Sequence, residues 1–277
     1  MKTTRITPKF LLALGLAVMP QAPAASDTAT QTVRPGSVVR WPGEGIESCH
    51  LDERQWKPID GACWYPVDLL ANGSIQIERR RMGGRESRAL QVADYPYDVQ
   101  HLTIEDESRV HLSADDLARV ERESARIRPL WSLGGAPDFA LPLGPPLAAL
   151  PEGGRFGARR VINGEPRSPH TGADYAAATG TPVLAVAAGR VALAEEHFFA
   201  GNSVFLDHGD GLISMYFHLS DIAVEPGQRV ERGDPLGRVG ATGRATGPHL
   251  HFGLRWHGAR VDPALLMQPP DALPAIQ

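Results

Sequence analysis

The sequence predicts an all-β-dominated chain: an N-terminal immunoglobulin-like β-sandwich, a connecting helix, and a C-terminal antiparallel β-sheet domain. Three observations carry this expectation. The chain holds 29 Gly and 24 Pro, which favours many turns and short strands over long helices. Short alternating apolar–polar runs, separated by turn residues, recur on both sides of its middle. Between them lies a stretch with helical periodicity. At 277 residues, 42% hydrophobic and 22% charged, the composition is that of a globular protein, long enough for one large or two smaller domains.

Residues 1–24 read as a signal peptide. Lys2, Arg5 and Lys9 precede an uncharged apolar run at 10–19, and Ala22-Pro23-Ala24 gives an A-x-A cleavage pattern. The run is too short for a bilayer span, which needs about 20 apolar residues. Removing 1–24 takes away three positive charges, moving the net charge from −4 to −7. No later stretch is apolar enough to cross a membrane, and the acidic balance disfavours a nucleic-acid partner.

Residues 33–110 form the expected sandwich, with strands at 37–41, 63–69, 74–80, 89–93 and 99–104. Asn72-Gly73 and Gly83-Gly84 are turn signals between them. Cys49 and Cys63 are the only cysteines. In an exported chain they read most simply as a disulfide; a two-thiol metal site is the competing reading, without a neighbouring C-x-x-C or paired His to support it. Arg79-Arg80-Arg81 reads as a solvated strand end.

Residues 111–154 form a helix and a linker. Ser113 can cap a helix over 113–128, with Asp116 as its reciprocal acid, an Asp115–Arg119 pair, and an apolar stripe of Leu117, Val120 and Ile127. The Pro- and Gly-rich run 134–154 is either a linker or a segment lying extended over a surface. By position, it or the N-terminal domain is expected to cover part of the site that follows. Residues 155–267 read as the second domain, with strands at 183–187, 190–194, 203–207, 213–218, 236–239 and 249–255, and residues 268–277 as a tail.

Chemistry concentrates in the histidines of this second part. His170-Thr-Gly-Ala-Asp174 sets an imidazole and a carboxylate four residues apart. His249 and His251 open a strand, and residues two apart on a strand share a face, with Leu250 and Phe252 on the other. His218 ends the run from Ile213. Imidazole and carboxylate are zinc ligands; a catalytic zinc keeps three protein ligands and leaves one position to water, whose pKa falls to about 7. Further histidines near such a site can take a proton and stabilise an oxyanion. Either motif alone is weak, but together in one exported β-domain they point to a metal site. His208 and His257 read as loop residues, and His50, His101, His111 and His197 show no metal spacing.

With these motifs in view, 155–267 resembles the lysostaphin-type (LytM-like) zinc metalloendopeptidases, which cut peptide cross-links of bacterial cell walls. The matching segments are RFGARRVINGEPRSPHTGADYAAATGTPVLAVAAGRV (155–191), GNSVFLDHGDGLISMYFHLS (201–220), VEPGQRVERGDPLGRVGATGRATGPHLHFGLR (224–255) and VDPALL (261–266). The resemblance implies one Zn²⁺ per chain held by His170, Asp174 and His251, with His249 as general base and His218 as the second catalytic histidine. It implies an endopeptidase acting on peptidoglycan stem peptides and cross-links. Residues 36–128 look more loosely like the sandwich preceding this domain in some Gram-negative relatives, which points to the periplasm and to a D-alanyl–meso-diaminopimelate bond.

Two other readings compete. A non-catalytic wall-binding regulator of other hydrolases would have lost ligands or catalytic histidines, yet all five positions are filled. A biotinyl- or lipoyl-type carrier hairpin needs a modified lysine, and no lysine follows Lys57.

Overall fold

The computed structural model describes residues 30–276; the expected signal peptide lies outside the described residues. The N-terminal part contains β1 (Gln31–Val33), β2 (Val38–Pro42), β3 (Ile46–Leu51), β4 (Arg54–Trp56), β5 (Ala62–Pro66), β6 (Ser74–Arg81) and β7 (Gly84–Val92). Five of these make one sheet in the order β1-β7-β6-β3-β4, and β2 pairs with β5 as a two-stranded ribbon. Sheet and ribbon enclose a core that includes Trp41, Tyr65, Ile77 and Leu90. A disulfide between Cys49 on β3 and Cys63 on β5 crosses this core and ties the two layers together.

Several sequence expectations change here. β8 (Val99–Leu102) leaves the sandwich and pairs in parallel with β9 (Arg159–Ile162). Arg79 is not solvated. Strand alternation turns it inward, where its guanidinium lies 4.4 Å from the Trp41 ring centre and binds Glu86 at 2.6 Å. The C-terminal segment is no loose tail: Ile276 donates to the Arg40 carbonyl at 2.8 Å and is buried in the N-terminal core.

The helix α1 (Ala114–Ile127) is capped as expected, with the Asp116 amide donating to Ser113 Oγ at 3.1 Å. Its Arg119 pairs with Glu123 at 2.7 Å rather than with Asp115. Glu123 lies on the side facing the second domain and also accepts from the Phe198 amide at 2.9 Å, which draws Arg119 that way. The apolar stripe is only partly covered, and Leu117 remains 49% exposed.

The second part continues with β10 (Glu165–Arg167), β11 (Gly172–Ala176), β12 (Pro182–Leu184), β13 (Gly189–His197), β14 (Gly201–Asp207), β15 (Leu212–Ile222), β16 (Arg229–Val230), β17 (Pro235–Val239), β18 (His249–Trp256) and β19 (Ala259–Val261). β9 and β10 form a hairpin. The remaining strands build a nine-stranded sheet with the path β11-β18-β15-β14-β13-β16, flanked by β12, β17 and β19. Its core includes Leu206, Tyr216, Phe252, Leu254 and Trp256. The 134–154 run lies extended over this core. The Leu143 amide donates to Leu266 O at 2.8 Å and the Gly144 amide to Val186 O at 2.7 Å, while Leu143 and Leu147 are buried. No helix among the described residues is long and apolar enough to cross a membrane.

The buried disulfide yields a prediction. Loss of a crosslink closing a loop of about 15 residues should lower unfolding free energy by about 3 kcal/mol. Denaturant titration of the Cys49→Ala/Cys63→Ala protein, followed by tryptophan fluorescence, should show that loss with metal binding unchanged. A midpoint equal to the parent's would contradict it.

Candidate metal centre

The register of β11 on β18 places Asp174 directly opposite His251. On the other flank of β18, Phe217 of β15 is also opposite His251. Opposed residues project to the same face, so the three converge. The Phe217 ring lies parallel to the His251 imidazole and offset from it, 5.1 Å between centroids and 7° between planes. His249 shares that face by strand alternation, while Leu250 and Phe252 are fully buried in the sheet core.

His170 stands just ahead of β11 and is almost wholly buried. Its Nδ1–H donates to the Arg155 carbonyl at 3.0 Å, so the lone pair of Nε2 faces the site. Three atoms then meet: His170 Nε2, Asp174 Oδ1 and His251 Nδ1, each 2.9 Å from the other two. They are the one group found among the described residues whose ligand atoms lie close enough together to hold a metal ion. A tetrahedral zinc with bonds of about 2.0–2.1 Å separates its ligands by roughly 3.3 Å. The triangle therefore needs to open by only a few tenths of an ångström, and its two imidazoles and one carboxylate are a donor set that suits zinc.

His218 reaches the site by an irregularity. On a regular strand it would follow Phe217 onto the opposite face. The β14–β15 register instead shifts, with Val204 opposite Tyr216 but Asn202 opposite Leu219, and His218 adopts φ 64°. Such a bulge re-aims one side chain. It lands beside His249, with 4.7 Å between ring centroids. The Nδ1–H of His218 donates to Thr242 O at 2.9 Å, and that of His249 to Gly247 O at 2.8 Å. Both rings consequently turn an Nε2 lone pair toward the site; His249 Nε2 is 3.8 Å from Asp174 Oδ1.

The electrostatics favour neutral imidazoles at His170 and His218. Burial pushes His170 down to about 4, against the opposing pull of the adjacent Asp174 carboxylate. Burial, then the nearby His251 and His249, pushes His218 down to about 3. Burial alone would raise the Asp174 carboxyl, but the adjoining His170 and His251 imidazoles outweigh it and hold the group ionised, well below the usual carboxylate range.

Two contributors escaped sequence reasoning. Arg160 on β9 donates to Asp174 Oδ2 at 2.9 Å, which leaves Oδ1 as the ligating oxygen. Nothing in the sequence marks it, because it lies 14 residues upstream on another sheet. Gly172 lies under His251: a Cβ there would stand 2.7 Å from His251 Nε2 and 2.5 Å from Phe252 O. The small residue inside the His170–Asp174 spacing was its visible signal. His208 takes the loop role expected of it, bracing its turn through Ala188 O and Ser214 Oγ, at 2.7 Å each.

A groove of about 420 Å³ opens beside the triad, with Phe217, His218 and His251 among its lining residues. Its walls are the β9–β10 hairpin and the turns carrying Phe199 and Arg244. None of its described lining residues comes from 134–154, whose Leu143 and Gly144 pair on the sheet's core face and whose Gly154 pairs with the backbone of Asp174.

Residues 168–263 match the model of peptidase family M23. The peptidoglycan DD-endopeptidase ShyA of Vibrio cholerae is 45% identical over 95 residues, covering 34% of this chain and 22% of that protein. The DD-carboxypeptidase/endopeptidase Mpg of Neisseria meningitidis is 43% identical over 100 residues, covering 36% and 23%. The chain thus matches less than a quarter of the length of either relative. A crystal structure of an M23 peptidase from Pseudomonas aeruginosa is similar with a TM-score of 0.62 and 32% identity, over 84% of this chain and 93% of that one. With the family model spanning all five converging site residues and a solved relative matched along nearly its whole length, the chain belongs to peptidase family M23.

Proposed function

We propose that this protein is an exported zinc endopeptidase that hydrolyses peptide cross-links of peptidoglycan in the periplasm. The observation carrying this reading is the His170–Asp174–His251 triangle with two tautomer-fixed imidazoles beside it. The names of the V. cholerae and N. meningitidis relatives support the substrate class. In this reading residues 33–110 are the β-sandwich domain, 155–267 the catalytic domain, and 1–24 directs export.

When bound, the zinc would acidify a water and polarise the scissile carbonyl. The chain's own residues do the rest. Arg160 and the strand register hold Asp174 with one oxygen free. His249 Nε2, nearest the triad, accepts the proton of the attacking water. His218 Nε2 is also an acceptor while neutral, so it becomes a donor to the developing oxyanion or the departing amine only after gaining a proton. Two imidazoles this close repel when both are charged, so one proton shared between them serves both steps. The bulge at His218 places that second nitrogen where a regular strand would not.

A chelator should abolish cleavage of purified sacculi while far-ultraviolet circular dichroism persists, because the sheet has its own core. His251→Ala should lose zinc. His249→Ala and His218→Ala should keep near-stoichiometric zinc and lose about 10²–10⁴ in rate. Unchanged hydrolysis after chelation, or zinc loss from His249→Ala as complete as from His251→Ala, would overturn the assignment.

Gly172 gives an independent test of how the ligand is seated. Gly172→Ala should displace the His251 ring and weaken zinc affinity at least about tenfold, as disturbed ligand support does. Competition with a metallochromic chelator measures it, and parental affinity would contradict the packing argument.

A further inference from the structure

The groove beside the triad carries more positive charge than its own residues balance. Arg160 sits against Asp174. Arg167 on β10 is paired with Glu165, itself half exposed at the rim. Arg244 has no acidic partner among the described residues, although its side chain is largely withdrawn from water; burial, then the nearby Arg160 and Arg167, pulls its guanidinium down to about 10. All three line the groove that contains His170, His218 and His251.

These guanidiniums are held in place. Arg167 Nη2 donates to the Val110 carbonyl at 3.1 Å, and Arg244 Nη1 to the adjacent Arg109 carbonyl at 3.4 Å. Two neighbouring carbonyls of one segment therefore set the two arginines side by side. The Arg244 guanidinium also lies 4.2 Å from the Phe199 ring centre. Each guanidinium has five N–H donors in a planar fork, so these contacts leave donors unspent. The Nε of Arg167 is buried without a partner. A partly buried cation without a counter-charge is costly, and fixed forks match a carboxylate's two oxygens.

We propose that Arg244 and Arg167, backed by Arg160, form a carboxylate-binding subsite that receives a free carboxylate of the peptide being cut, next to the scissile bond. The inference rests on the endopeptidase reading above and adds its specificity. A D-alanyl–meso-diaminopimelate cross-link supplies such a group. The carbon bearing the linked nitrogen also bears a free carboxylate, so the charge lies two bonds from the nitrogen that leaves. Amidating that carboxylate removes the charge and keeps the shape. Arg167 and Arg244 touch neither the triad nor the reacting atoms, so their effect falls on substrate binding.

The test uses the zinc-loaded full chain and two cross-linked muropeptide dimers, one with this carboxylate free and one amidated. The parent protein should cleave the free form about 10- to 100-fold more efficiently in kcat/KM, mostly through KM, as expected for a hydrogen-bonded charge pair. Arg244→Gln and Arg167→Gln should each erode that preference and leave the amidated dimer nearly unaffected; Arg244→Lys should retain part of it. Calorimetric binding of the two dimers separates the two proposals. If neither is cleaved but the free form binds at least tenfold tighter, the endopeptidase reading falls and the subsite stands. Equal handling of the two dimers by the parent protein, absence of binding as well as cleavage, or equal losses on both dimers in both glutamine variants would overturn the subsite. Should Arg244→Gln not fold, the parent comparison and Arg167→Gln still decide.

Discussion

A carboxylate withdrawn from water has to be matched by cations or hydrogen-bond donors, and Asp174 sets that requirement at the centre of this structure. One oxygen meets Arg160, and the other meets His170 and His251. Burial keeps the His170 imidazole neutral, and a neutral imidazole is a poor counter-charge. The Oδ1 side is therefore short of positive charge, which a divalent cation supplies and which a well-packed apolar side chain could not. Arg160 reaches this carboxylate from β9, part of a hairpin that lies outside the main sheet.

Strand register converts this local demand into a site. Asp174, His251 and Phe217 meet because β11, β18 and β15 pair in one order with one alignment. A slip by one residue would send His249 and His251 into the core and Leu250 and Phe252 into the groove. The large buried side chains of the opposite face, Tyr216, Phe252 and Trp256, oppose such a slip. The same hydrophobic core that stabilises the sheet thus also orients the ligands. Only His218 departs from the regular pattern, and its left-handed backbone is the strained exception that brings a second free imidazole nitrogen to the groove.

Much of this was legible in the sequence because strand periodicity is local. The H-x-H alternation, the four-residue spacing of His170 and Asp174, and the Ser113 cap all follow from geometry within a few residues. What was hidden depends on distant pairing. Short strands such as Gln31–Val33 and Arg54–Trp56 exist through their neighbours, not through their own pattern. Arg79 looked solvated within a basic run until Trp41 and Glu86 came against it. Arg160 and Arg244, which shape the site's charge, belong to segments that only tertiary packing brings together. The bulge at His218 has no residue signature, since a histidine in a left-handed conformation is set by the strand's change of partner from β18 to β17.

The central claim is that one divalent cation completes the Asp174 cluster through two imidazole nitrogens and one carboxylate oxygen. X-ray absorption at the zinc edge of the purified protein, with metal content measured alongside, tests it most directly. The expected result is one zinc per chain in a four-coordinate nitrogen–oxygen shell with imidazole scattering, lost when Asp174 is replaced by Ala. A sulfur-containing shell, an all-oxygen shell, or an unchanged spectrum and zinc content in Asp174→Ala would contradict it.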